Sequence, residues 1–171
     1  MHIASPILVF MGVSGTGKST VAGMLAGRLG WPFQEGDDLH PAANVAKMAA
    51  GHALTDEDRQ PWLETVAAWI DERRAAGESA IVTCSALKRR YRDVLRRDNV
   101  VFVNFTGDRD LVLQRILRRQ GHFMPPALLD SQFATLEEPG PDEQAIRIDL
   151  ALSPDEQVAE VAAQLRAIMG D

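Results

Sequence analysis

The chain has 171 residues, 46% of them hydrophobic, which suits one domain with one core and excludes a disordered chain. A net charge of −6 with no basic stripe argues against nucleic acid as the main partner, and no apolar run approaches the length of a membrane span. Cys84 is the lone cysteine and has no internal disulfide partner; with no charged n-region or long apolar leader at the N-terminus, a soluble cytoplasmic protein is expected by elimination.

Ile7–Met11 is a short apolar stretch that reads as a buried strand. Gly12, Val13, Ser14, Gly15, Thr16, Gly17, Lys18 and Ser19 follow it and fit G-x-x-x-x-G-K-[ST], the phosphate-binding loop. Residues 19–29, rich in Ala, Leu, Met and Val, read as the helix that the motif needs next. Glycines let the backbone bring N–H groups to phosphate oxygens, and the helix N-terminus adds partial positive charge. Lys18 is placed to reach the outer phosphates, the Ser19 hydroxyl to ligate Mg²⁺, and Thr20 adjoins them. A turn that merely caps a helix needs one glycine and no lysine, so nucleoside triphosphate binding is the reading. ATP and Mg²⁺ are the expected cofactors.

Residues 31–35 read as a second strand after the Gly30 helix stop, and 41–50 as a helix opened by Pro41 and stopped by Gly51. Between them lies Glu35-Gly36-Asp37-Asp38. Acids just past a strand end can face the phosphate loop; one of Glu35 and Asp37 can orient Mg²⁺ through water and another acid accept a proton from a substrate hydroxyl, with Asp37 read as functional and Asp38 as solvated. His40, beside the acids, reads as a substrate hydrogen-bonder, with Asn44 and Lys47 one and two turns on. Thr55 and Asp58 have capping-box spacing. They open an amphipathic helix to about residue 76, with Leu63, Val66, Ala67 and Ile70 on one face and Trp69 expected in the core.

Residues 80–84 read as a third strand and 87–97 as a basic helix. Ser85, Lys88 and Arg92 there suit an anionic, many-hydroxyl substrate, whereas Arg89 and Arg90 read as solvated. Residues 100–105 are the next strand and 108–119 the next helix, which carries Arg115 and Arg119 four residues apart on one face. Residues 121–141 are rich in Pro and turn formers, with a short helix near 127–134. Hinged in this way, about 120–141 suits a lid, and the arginines at its base suit adenine and the transferred phosphate. Residues 146–150 are the last strand and Pro154–Met169 the last helix. Strands alternating with helices predict an α/β fold on a parallel sheet, 1–171 as one domain. Ligands then gather at the carboxyl ends of the strands: after Met11, at Glu35-Gly36-Asp37, from Ser85 to Lys88, and after Leu150. No strand ends in a Walker B aspartate, which disfavours motor ATPases and switch GTPases and suits small-molecule kinases.

Taken together, the phosphate loop, Glu35-Gly36-Asp37-Asp38-Leu39-His40-Pro41, Asp58-Arg59-Gln60-Pro61-Trp62-Leu63, Ser85-Ala86-Leu87-Lys88, Tyr91-Arg92-Asp93 and Gly121-His122-Phe123-Met124 resemble the bacterial gluconokinases, a family that sits with the shikimate and adenylate kinases. The resemblance runs in order along nearly the whole chain. It implies a five-stranded parallel sheet flanked by helices on both faces with a lid, usually a homodimer. It also implies ATP-dependent phosphorylation of D-gluconate at the 6-hydroxyl, whose product feeds pentose phosphate or Entner–Doudoroff metabolism. Asp37 matches the acid that aligns with the shikimate kinase base, Arg59 the arginine for the substrate carboxylate, and Arg115 and Arg119 the lid-helix arginines. Glu35 stands where the family more often has Asp. Lys18, Asp37 and Arg119 are the catalytic expectation. His40, Arg59, Ser85, Lys88 and Arg92 join Asp37 around the substrate. A shikimate kinase and a nucleotide sensor without transfer activity are the alternatives. The first usually carries a glycine run where Ser85-Ala86-Leu87-Lys88 stands; the second is expected to lose Asp37 or the lid arginines, all of which are present.

Overall fold

Five strands form one parallel sheet: β1 (Ile7–Met11), β2 (Phe33–Glu35), β3 (Ala80–Thr83), β4 (Val100–Thr106) and β5 (Ala145–Asp149), in the order β2-β3-β1-β4-β5. The structure is a computed structural model that describes residues 2–13, 15–118 and 126–170, with side chains described outside 115–129. The helices are α1 (Lys18–Leu29), α2 (Ala42–Ala49), α3 (Asp56–Ala75), α4 (Arg89–Leu95), α5 (Arg109–Arg118), α6 (Pro126–Thr135) and α7 (Pro154–Met169).

The central strand β1 is apolar at every position because both of its faces are covered. Leu8 and Phe10 point into one core, with Val21, Ala22 and Leu25 of α1 and Val158, Val161 and Leu165 of α7. Ile7, Val9 and Met11 alternate into the other, with Trp62, Leu63, Val66 and Ile70 of α3 and Leu95 of α4. Burying each of the larger aliphatic side chains contributes roughly 1.5–3 kcal/mol, which makes these two layers the main source of stability.

Helix α3 starts where the sequence says it should. Thr55 Oγ1 accepts from the Asp58 N–H at 3.1 Å, and Asp58 Oδ2 accepts from the Thr55 N–H at 2.8 Å. On this helix Trp62 is the core tryptophan. Trp69, expected there, is half-buried, and the Arg73 guanidinium lies 5.5 Å from its ring centroid.

Two elements differ from expectation. The acidic turn after β2 is a 3-10 helix, Gly36–Leu39. The basic helix begins at Arg89, because the preceding residues are pinned as a loop: Ala86 has φ 44°, and the Leu87 carbonyl accepts from the Glu137 N–H at 2.7 Å. The expected lid lies partly outside the described residues; its described part is α6 and the extended chain that follows.

Candidate active site

The four segments expected at the carboxyl ends of the strands meet there. The Gly12 N–H donates to the Ser85 carbonyl at 3.0 Å, which ties the phosphate loop to the segment after β3. The Ser19 hydroxyl donates to Glu35 Oε2 at 2.9 Å, which ties α1 to the end of β2. Beside the loop, a cavity of about 490 Å³ is lined by Gly15, Thr16, Thr20, Gln114, Pro154 and Gln157, and so reaches the segment after β5. A larger cavity of about 750 Å³ lies at the opposite end of the sheet, next to Ser5 and Asn99, which precede β1 and β4. Its arginines are spent on protein partners, Arg74 on Asp98 and Asn99 and Arg97 on Asp71, and no motif points there.

In the phosphate loop the backbone turns at Gly12, φ 123°, where a Cβ would stand 3.0 Å from the Phe105 carbonyl oxygen. Lys18 Nζ donates to the Gly12 carbonyl at 2.6 Å. Burial of the ammonium lowers its pKa to about 8, against the opposing pull of Asp37. Thr16 Oγ1 is buried with no hydrogen-bond partner among the described residues, a polar atom left for a ligand. Ser14 lies outside the described residues.

The parallel register places Glu35 opposite Thr83, and Thr83 Oγ1 donates to the same Glu35 Oε2 at 2.9 Å. Gly36 is what allows this approach. A Cβ on it would stand 1.9 Å from the Thr83 carbonyl oxygen, and its own N–H donates to Thr83 Oγ1 at 3.2 Å. The hydroxyl of Ser19 and the carboxylate of Glu35 are hard oxygen donors side by side at a phosphate-binding helix N-terminus, a donor set that fits Mg²⁺. Among the described residues no three His, Cys, Asp or Glu side chains group as a ready-made metal cage, so an ion here would draw further ligands from nucleotide and water.

Asp37 projects into solvent, its side chain 89% exposed, with Oδ1 4.0 Å from His40 Nε2. His40 itself is enclosed. It stacks on Trp62 with centroids 4.2 Å apart and lies 3.3 Å from Asn44 Nδ2. Burial lowers its pKa, Asp37 opposes this and Arg59 adds to it, so the ring is neutral at pH 7. Trp62 is fixed in turn by its Nε1–H, which donates to the Gly36 carbonyl at 2.8 Å.

Arg59 and Lys88 converge on one aromatic ring. Arg59 Cζ lies 5.6 Å and Lys88 Nζ 5.5 Å from the Tyr91 centroid, and Arg59 Nη1 donates to the Tyr91 hydroxyl at 3.3 Å. The Tyr91 hydroxyl in turn donates a short hydrogen bond to Asp56, which also holds Lys88 at 3.3 Å and Arg90 at 3.1 Å. Ser85 is half-buried in the adjoining loop. The sequence attaches no site role to Asp56, and gives Tyr91 only a place in the Tyr91-Arg92-Asp93 segment. Tyr91 stands three residues after Lys88, a spacing that puts the two on one helix face, and that was the available signal.

Arg92, expected around the substrate, is instead a buried brace. It has no exposed surface, its Nε donates to Glu143 Oε1 at 2.7 Å, and its Nη1 donates to the Ala86 carbonyl at 2.8 Å. Burial opposes the charge on Glu143, but the bonds from Arg92 and the Gly140 N–H hold its carboxyl below the usual range. The guanidinium holds the loop that carries Ser85 and Lys88 and has no surface left for a ligand. Arg119 and the Arg115 side chain lie outside the described residues.

A family profile described as an AAA domain matches residues 7–139. The gluconokinase of Gluconobacter oxydans (strain 621H) is 52% identical over 169 residues, spanning 98% of this chain and 95% of that protein. The chain belongs to the gluconokinase family. Among solved structures, a gluconokinase from Sinorhizobium meliloti 1021 is 43% identical with a TM-score of 0.86, covering 99% of this chain and 96% of that one. A sugar kinase from Janibacter sp. HTCC2649 is 45% identical with a TM-score of 0.88, covering 97% of each chain. The family is one of phosphotransferases on the P-loop kinase fold, and the phosphate loop and parallel sheet are those of that fold. No helix among the described residues is long and apolar enough to cross a membrane.

Proposed function

We propose that this chain transfers the γ-phosphoryl group of ATP to the 6-hydroxyl of D-gluconate, giving 6-phosphogluconate and ADP. The observation that carries this reading is one continuous edge. The phosphate loop stands at one end, and the cations Arg59 and Lys88, gathered on Tyr91, stand beyond His40. Asp37 Oδ1 is 4.0 Å from His40 Nε2, and the Asp37 charge pulls against the lowered pKa of Lys18, which supports a role for this acid toward both ends. A linear sugar acid has a carboxylate for the cations and, at the far end of its chain, a primary hydroxyl for the phosphoryl group.

Asp37, exposed and 4.0 Å from His40, accepts the hydroxyl proton as the oxygen attacks phosphorus. The bond from phosphorus to the ADP oxygen breaks, and Lys18 with the loop N–H groups meets the charge on the phosphates. Mg²⁺, when bound, neutralises phosphate charge; Ser19 and Glu35 are the residues for it. In this reading Arg59 and Lys88 orient the carboxylate, and His40 and Ser85 bond hydroxyls. Thr16 and Thr20 line the nucleotide side. Arg115 and Arg119 belong to the same reading as the adenine and phosphate arginines at the base of a lid spanning about 120–141. Closure of that lid excludes water and limits hydrolysis. A homodimer acting in the cytoplasm, with its product entering sugar-acid catabolism, completes the reading.

The test is a coupled ADP-release assay with ATP and Mg²⁺ against gluconate, shikimate, other sugar acids and AMP. Release with gluconate alone is expected; release with another acid overturns the substrate assignment. Asp37→Asn should lose most turnover while keeping ATP binding, and unchanged turnover removes Asp37 from the base role.

A further inference from the structure

We infer that Asp56 is a built-in counter-ion that sets the charge of the substrate this edge accepts, selecting a singly charged carboxylate over a doubly charged headgroup. The inference rests on the gluconate reading for the place of the substrate, and it assigns to that site a specificity residue which the phosphoryl transfer itself does not require.

Three cations gather on Tyr91 and Asp56, and they are not equivalent. Lys88, partly buried, pairs with Asp56 at 3.3 Å. Arg90 pairs with the same carboxylate at 3.1 Å but is 68% exposed, so water carries much of its charge. Arg59 differs. Among the described residues it has no carboxylate within ion-pair distance; its hydrogen-bond partner is the neutral Tyr91 hydroxyl. The next cation along this side, Lys47, is already met by Asp58 at 2.5 Å. The arrangement therefore offers a ligand one charge without a counter-ion, that of Arg59, and one charge already balanced, that of Lys88.

Asp56 is held in this role by its position. It is the first residue of α3, next to the Thr55 cap, and its carboxylate faces α4 rather than solvent alone, accepting from Tyr91, Lys88 and Arg90. The hydrogen bond from Tyr91, followed by those from Lys88, keeps it ionised across the neutral range. A carboxylate that approaches Arg59 and the Lys88 ammonium meets one free positive charge and shares the other. A phosphate or a second carboxylate at the same end brings a further negative charge close to Asp56, which cancels much of what Lys88 offers it, so the second charge gains less here than it would without Asp56.

The probe that isolates this effect is a hexitol 1-phosphate. It carries two negative charges at one end of a six-carbon polyol and keeps a primary hydroxyl at the other. Equilibrium binding of gluconate and of hexitol 1-phosphate is measured for the unmodified enzyme, Asp56→Asn and Asp56→Glu, each in the presence of a non-hydrolysable ATP analogue and Mg²⁺. The preference for gluconate over hexitol 1-phosphate should fall roughly tenfold in Asp56→Asn and be retained in Asp56→Glu, which keeps the charge. A merely structural role for Asp56 would weaken both ligands together and leave the ratio where it was, which overturns the inference. The same ratio shift in Asp56→Glu as in Asp56→Asn also overturns it. Because binding is read rather than turnover, absence of gluconate phosphorylation sinks the functional reading alone, and an unchanged ratio sinks the charge rule alone.

Discussion

Lys18→Met should make the unliganded protein more stable while abolishing phosphoryl transfer. Burial of the Lys18 ammonium lowers its pKa from 10.5 to about 8, so below pH 8 the folded protein holds a charge it has partly desolvated. A shift of that size corresponds to about 3 kcal/mol at about 1.4 kcal/mol per tenfold. The residue keeps some exposed surface, which reduces the cost through solvent screening. Methionine also forfeits the hydrogen bond to the Gly12 carbonyl at 2.6 Å, worth about 1 kcal/mol. A net gain of about 1–2 kcal/mol remains, or about 2–8 °C in Tm for a chain of this size. The sign with pH follows from the lowered value. Below about 8 both folded and unfolded chains carry the proton and the cost is fully present. From about 8 to 10.5 the unfolded chain holds more protons, so the unmodified protein gains stability as pH rises. The advantage of Lys18→Met should therefore be full at pH 7 and shrink between pH 8 and 10.5. Thermal melts of both proteins at several pH values, with and without ATP, read this directly. ATP should raise the Tm of the unmodified protein and have little effect on the variant. Equal stability of the two at pH 7, or a gap that stays constant to pH 10.5, refutes the reasoning.

Gly36→Ala should cost about 3 kcal/mol or more, since its Cβ would meet a backbone oxygen at 1.9 Å; urea unfolding monitored by tryptophan fluorescence would show it, and an unchanged midpoint would mean the β2–β3 approach is looser than described. Arg92→Met should destabilise by about 3–5 kcal/mol by stranding Glu143 in the core, and adding Glu143→Leu should recover part of that loss; additive losses in urea melts would argue against a coupled pair. Glu35→Gln should raise the Mg²⁺ concentration for half-maximal rate by about tenfold, Glu35→Asp should raise it less, and Thr83→Val, which removes a hydrogen bond to that carboxylate, should move it in the same direction; a magnesium titration of initial rate that is identical in all three would take Glu35 off the metal.

Local signals were legible because each was written in adjacent residues. The phosphate loop, the Thr55–Asp58 capping box and the alternating cores of β1 all follow from spacing along a few positions. What was hidden needed the third dimension. Arg92 reads as a substrate cation because it follows Lys88 in a basic run; only the return of the chain at Glu143, 51 residues later, shows where its charge goes. The start of α4 at Arg89 has the same origin, since Arg92 and Glu137 hold Ala86 and Leu87 out of the helix. Tyr91 and Asp56 were hidden for a different reason. Asp56 falls inside the Thr55–Asp58 capping segment and does stand in the first turn of α3, where an acid is favoured in any case, so a generic role covered a specific one.

Two lysines on the same edge are set in opposite directions, and the difference fits the two ligands. Among the described residues Lys18 has only carbonyl oxygens within hydrogen-bonding distance and no bonded counter-ion, and burial lowers its pKa. Lys88 has Asp56, whose hydrogen bond raises its pKa. A group left short of negative charge gains most from a ligand that brings a great deal of it, as a triphosphate does. A group already balanced gains little from charge and serves better to orient than to attract. On the proposed reading, differential binding energy is concentrated at the phosphate end, where charge is redistributed during transfer. The substrate end can discriminate by charge count and hydroxyl pattern without holding the acid so tightly that the product lingers.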